Sequence, residues 1–257
     1  MAKYFNVTVV PDIPASRQHI GAFTAADLLF DWTAFDIPKG GAKCIGATLL
    51  VRPDGNANPD KNDFGVFFIV SSSNDTSLGA TADVNSAPLN KPSNDFIGIM
   101  EIGDEHSYIN LLKSTNVATT GRATNNENQH PAFVVARNAG SDGNGANVGY
   151  DRFYLGGLAN GAFKFGETLN RINDSDIDTS SPGTTLVTSG SSMDVREHFI
   201  AGDVLHAHDD AVIGTVASDP DSATVITLET AIDTGVLEHQ DYVYNLNPMR
   251  IILHFEK

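Results

Sequence analysis

His206-Ala207-His208-Asp209-Asp210 sets two imidazoles and a carboxylate at alternate positions. On a strand, residues at i, i+2 and i+4 share a face, so His206, His208 and Asp210 could converge on a divalent metal and polarise a water for hydrolysis. The competing reading is an exposed polar hairpin tip that follows the Gly202-Asp203 strand and takes up metal only adventitiously. The second reading is preferred, so the expected metal set is none, with His206, His208 and Asp210 as the only candidates. A metal-dependent hydrolase centred on these three residues is the enzyme rival.

The other motifs with chemical potential each miss at a named residue. The H-x-H-x-D spacing resembles the opening of the metallo-β-lactamase signature H-x-H-x-D-H, yet Ala211 stands at the final His and the long α/β framework of that family is absent. Asp54-x-Asn56-x-Asn58 begins like a calcium loop, but Pro59 occupies the sixth position, where glycine is needed, and Gly65 the twelfth, where glutamate is needed. Asp174-x-Asp176-x-Asp178 fails in the same way at Thr179 and Thr185. Gly143-x-Gly145-x-x-x-Gly149 leads into Tyr150-Asp151-Arg152-Phe153-Tyr154, a strand pattern, where a nucleotide site needs a helix N-terminus. Neither a phosphate-cradling G-x-x-x-x-G-K-[ST] loop nor a G-x-S-x-G elbow occurs. No catalytic residue, no cofactor and no enzymatic activity are expected.

Composition narrows the partners. Sixteen Lys and Arg against 32 Asp and Glu give a net charge of −16 over 257 residues, which repels phosphate backbones and anionic lipid surfaces. Nucleic acid and membrane are therefore not expected as partners. No apolar run approaches the length of a membrane helix, and Met1-Ala2-Lys3-Tyr4-Phe5 enters a strand pattern without a signal-peptide core. A soluble protein made in a reducing cytoplasm is the expectation. The single cysteine, Cys44, sits in an apolar run and reads as a buried small hydrophobe.

The elements that must position these residues are strands. Phe5, Val7 and Val9 alternate with Tyr4, Asn6 and Thr8, and Met249, Ile251, Leu253 and Phe255 alternate with Arg250, Ile252, His254 and Glu256. Two half-buried strands of this kind often lie in one sheet. Between them, short β-branched or aromatic runs bounded by Gly, Pro, Asn or Asp fall at 28–32, 42–51, 64–70, 96–102, 132–137, 152–155, 162–165 and 184–188. The run 64–70 is apolar on both faces and predicts an inner strand. Helical signals are short and weak, at 24–30, 108–113 and 167–172. Loops are expected at 71–95, 114–131 and 138–150. The pattern predicts an all-β chain, a β-sandwich or jelly roll.

Residues 197–243 have a different texture. Short strands near 199–205, 212–216, 223–228 and 242–243 are joined by Gly-Asp and Asp-Pro-Asp turns, enough for a small β-barrel. Since a strand resembling the N-terminal one follows, the expected organisation is a main domain of 1–196 plus 244–257 with 197–243 inserted.

Phe30-Asp31-Trp32-Thr33-Ala34-Phe35-Asp36-Ile37-Pro38-Lys39-Gly40, with the strand at 42–51, resembles virion structural proteins of tailed bacteriophages, particularly of marine and cyanobacterial hosts. Gly202-Asp203-x-Leu205, Ile213-Gly214-Thr215-Val216, Ile226-Thr227-Leu228 and Asn247-Pro248-x-Arg250-Ile251-Ile252 are similar to small β modules of phage particles. The resemblance covers the first fifty and last sixty residues. It implies a virion component, first a capsid decoration or cement protein, with a tail, neck, fibre or baseplate subunit that binds host glycan as the alternative. The implied partners are copies of itself, such as a trimer, and the major capsid protein or other virion proteins. It carries no catalytic residues.

Overall fold

The computed structural model describes residues 3–18, 23, 27–52, 66–74, 77–78, 96–102, 109–111, 115–121, 133–135, 149–159, 183–188, 194–233, 235–237 and 241–257. Nearly all of its regular structure is antiparallel strand, so the chain is all-β. Two short helices, α1 (Ala15–Gln18) and α2 (Val195–His198), have four residues each, and Leu78 is also helical.

Two sheets hold most of the strands. The first runs β1 (Tyr4–Val9), β15 (Met249–Glu256), β3 (Ala42–Val51), β7 (Thr115–Gly121) and β6 (Ile109–Leu111), with β8 (Phe133–Val135) also paired to β3. The second runs β2 (Leu28–Pro38), β9 (Tyr150–Ala159), β4 (Val66–Ser71) and β5 (Phe96–Ile102). The two terminal strands do meet: Tyr4 stands opposite Glu256 and Val9 opposite Ile251, and Lys3 and Lys257 exchange backbone hydrogen bonds beyond them.

Alternation decides which side chains face inward. On β15, Met249, Ile251, Leu253 and Phe255 are buried while the residues between them are not. They join one core with Leu49 and Val51 of β3, Phe35 and Ile37 of β2, Phe68 of β4 and Phe153 of β9. Contacts cross between the sheets: the Phe35 and Phe255 rings stack at 6.3 Å, and Cys44 Sγ lies 3.8 Å from Met100 Sδ. Burial pushes the Cys44 thiol up to about 11, so near neutral pH only about one thiol in a thousand or fewer is ionised. Alkylation of native protein with iodoacetamide should therefore be negligible and become rapid in denaturant, as intact mass will show.

The outer face of the first sheet carries a polar row across three strands. His254 Nδ1 lies 2.9 Å from Asn6 Oδ1 and its Nε2 2.9 Å from Thr48 Oγ1. Desolvation lowers the His254 pKa below its ordinary 6.5. The unfolded chain then takes up the proton first, so this contribution to stability is full above 6.5 and is lost as pH falls through the lower folded value. Thermal melts should show a drop in stability over that range, and His254→Gln should flatten it.

Several local readings are corrected. Residues 28–30, covered both by the expected strand at 28–32 and by the expected helix at 24–30, belong to β2, where register shifts between Leu28 and Phe30 and between Phe30 and Thr33 allow both Leu29 and Phe30 to turn inward. Residues 109–111, expected as helix, form β6 and pair with β7. β7 itself lies where a loop was expected. The strand expected at 162–165 and the helix at 167–172 lie outside the described residues.

A second cluster of buried side chains belongs to the C-terminal part. β10 (Thr185–Val187) pairs with β13 (Val225–Thr227), and β11 (Val204–His206) pairs with β12 (Val212–Thr215) and β14 (Tyr244–Asn245). Leu205, Ile213, Ile226, Leu228 and Val243 form its centre. The same cluster takes in Leu186 and Val195, which precede residue 197.

Candidate functional site

The three metal candidates sit at the tip of the β11–β12 hairpin, and the strand that would have aligned them stops at His206. The register shifts between Leu205 and His206, and 208–210 form a turn. Asp210 has φ +66, the left-handed region that Asp tolerates better than most residues. Its side chain faces away from any shared site: Oδ1 accepts from the Ala15 backbone N–H at 2.7 Å, and its carbonyl lies 2.9 Å from His206 Nδ1. Asp209 closes the turn by accepting from the Ala211 N–H. Asp210 therefore anchors the hairpin to the start of α1. Among the described residues no three His, Cys, Asp or Glu side chains gather as a metal-binding group. The two calcium-like runs and the glycine run up to 148 lie outside the described residues.

A different feature stands out beside this hairpin, a cleft of about 400 Å³ between the outer face of the first sheet and the segment 196–204. Arg52, just past the end of β3, fixes its floor. Its Nη1 and Nη2 donate to the two oxygens of Asp203 at 2.5 and 2.6 Å, and Nη1 also donates to the His198 carbonyl at 2.8 Å. Asp203 Oδ2 accepts in addition from the Ile200 N–H. A planar guanidinium suits this double attachment, because its fork matches a carboxylate. The opposite wall is held by bonds to main-chain carbonyls: the Ile13 N–H donates to the Leu246 carbonyl, Gln18 Nε2 donates to the Asn245 and Ile13 carbonyls, and Asn247 Nδ2 donates to the Pro11 carbonyl.

The surface so built is mixed in character. Val10, Ile200 and Val204 line it while remaining 39%, 53% and 42% exposed. Arg196 and Arg250 join Arg52 around them. Arg196 closes on Asp194, the residue that caps α2. The Arg250 side chain, on a residue that stands opposite Leu50 in the β15–β3 register, has no hydrogen-bond or ion-pair partner among the described residues. The arrangement can hold an aliphatic group against the valines and a carboxylate against Arg250. It offers binding surface and electrostatic attraction.

Sequence spacing could not reveal this cleft, because Arg52 and Asp203 lie 151 residues apart. One signal was legible, the outward position of Arg250 in the alternation of 249–256. A comparison with protein-family models and with curated proteins finds no match to this chain.

Proposed function

We propose that this chain is a non-enzymatic structural subunit of a phage particle, a capsid decoration protein that binds the outer surface of the shell and stabilises it. In this reading the two sheets form a sandwich of jelly-roll type, and 197–243 is a small barrel-like insertion whose core also draws on Leu186 and Val195. The partners are further copies of the chain and the major capsid protein, and the location is the virion.

The observation that supports the reading is the cleft, whose lining holds three exposed aliphatic side chains together with arginine. Scattered apolar residues on a surface need no partner, but apolar residues gathered in one cleft with arginine have the make-up of a protein–protein contact. β1 adds a second attachment, since it ends its sheet among the described strands and can accept a strand from a neighbour.

Cryo-electron microscopy of particles from cells expressing a tagged chain tests the proposal. Density for the chain on the capsid shell is the expected result. Density on the tail or baseplate would move the chain to the fibre class, and exclusion from every particle would overturn the reading.

A further inference from the structure

We propose that the cleft between the first sheet and residues 196–204 receives a carboxylate-bearing surface of a second copy of this chain, in a head-to-tail contact. This rests on the reading of the chain as an assembling subunit, and it names the contact.

Charge is the first argument. The whole chain carries two acidic residues for each basic one, 32 against 16. The cleft departs from that ratio. Of the three arginines in its lining, Arg52 is paired with Asp203 and Arg196 with Asp194, which leaves the charge of Arg250 uncompensated. No carboxylate of the wall is left to answer Arg250. A positive notch on a chain of net charge −16 is complementary to most of the remaining surface of an identical chain.

Shape supplies the second argument. A concave site cannot fill a copy of itself, so a two-fold contact of cleft on cleft would leave Val10, Ile200 and Val204 wet in both partners. Filling it requires a different, convex patch from the neighbour. Such heterologous contacts close into rings when the rotation permits, and otherwise grow open chains. A ring such as a trimer is the closed form of this contact.

Energetics point to the same residues. Arginine is among the residue types that cost most on truncation at an interface, which singles out Arg250, with Ile200 as the most exposed aliphatic residue of the lining. Arg250 and Ile200 are both solvent-exposed in the single chain, so replacing them should not disturb the fold.

Sedimentation velocity of the full chain across a concentration series, with Arg250→Glu and Ile200→Asp alongside, tests the proposal. Thermal melts of each variant control for folding. The expected result is a closed oligomer that added salt weakens, with each variant associating about tenfold more weakly or worse at an unchanged melting temperature. Should the wild type associate and both variants match it, the cleft assignment is overturned while the assembling-subunit reading stands. A wild type that stays monomeric overturns the second-copy assignment as well. Binding of that monomer to purified shells would then transfer the cleft to a capsid partner, and failure to bind them would remove the subunit reading too.

Discussion

Asp203→Ala should cost about 2–3 kcal/mol of folding stability, measured as a shift in the urea midpoint. The substitution strips Arg52 of both its short contacts and leaves the Ile200 N–H without its side-chain acceptor. Breaking a buried ion pair from one side typically costs about 3–5 kcal/mol, because the remaining charge stays desolvated. Here the Arg52 side chain is 23% exposed and Asp203 9%, so water can partly rescue the guanidinium and the lower figure follows. Arg52→Met should cost at least as much, since it leaves the more buried Asp203 carboxylate without its cation and the His198 carbonyl without its donor, offset only in part by the apolar stem kept in the cleft floor. The double variant should show a non-additive coupling of about 1 kcal/mol or more. Strict additivity would mean that the two side chains do not act as a pair.

Gly157→Ala is the second change with a large expected effect, about 2–3 kcal/mol, at the upper end of what overpacking a core costs. Gly157 lies in β9 opposite Phe30 of β2 on one side and Phe68 of β4 on the other. The two rings close over it with centroids 6.2 Å apart. A methyl group there would stand 2.3 Å from Phe30 Cε1 and 2.7 Å from Phe30 Cζ, and Phe30 is 1% exposed with no room to retreat. The loss should appear as a lower melting temperature, and Phe30→Leu in the Gly157→Ala background should recover part of it. If Gly157→Ala melts like the wild type, the ring packing over that glycine is not what holds β2 to β9.

The same glycine explains one limit of reading strands from sequence. The expected strand at 152–155 stopped before Gly156-Gly157, which ordinarily mark a break, whereas β9 runs through them to Ala159. Aromatic rings on the neighbouring strands supply the cover the glycines lack, and that cover is invisible to any local window. β7 was hidden for a related reason. Thr-Asn-Val-Ala-Thr-Thr-Gly carries no strong apolar alternation and earns its place by backbone pairing along β3 from Gly46 to Val51. By contrast β3 and β5 have the bounds expected of them, because alternating or continuous apolar residues end sharply at polar turns. β4 lies between β9 and β5, the inner place its two-faced apolar run predicted. The metal rival at His206, His208 and Asp210 assumed an unbroken strand, whereas the preferred polar hairpin tip is where these residues lie, in a turn closed locally between Ala207 and Ala211. The Asp210 contact with the distant Ala15 N–H could not be read from sequence. The cleft depended wholly on such distant meetings.

The side-by-side placement of residues 3 and 257 has a mechanical side. Because β1 and β15 run antiparallel and their outer ends coincide, a tension applied to those two residues would load one cross-strand pair at a time, from Tyr4 and Glu256 inward. That is peeling geometry, in which each bond yields before the next is stressed. A load carried between Lys3 and a residue of the β11–β12 hairpin would instead be shared by the Asp210–Ala15 and Arg52–Asp203 attachments. The molecule should thus give way at low force when pulled by its ends and resist more when gripped through its cleft.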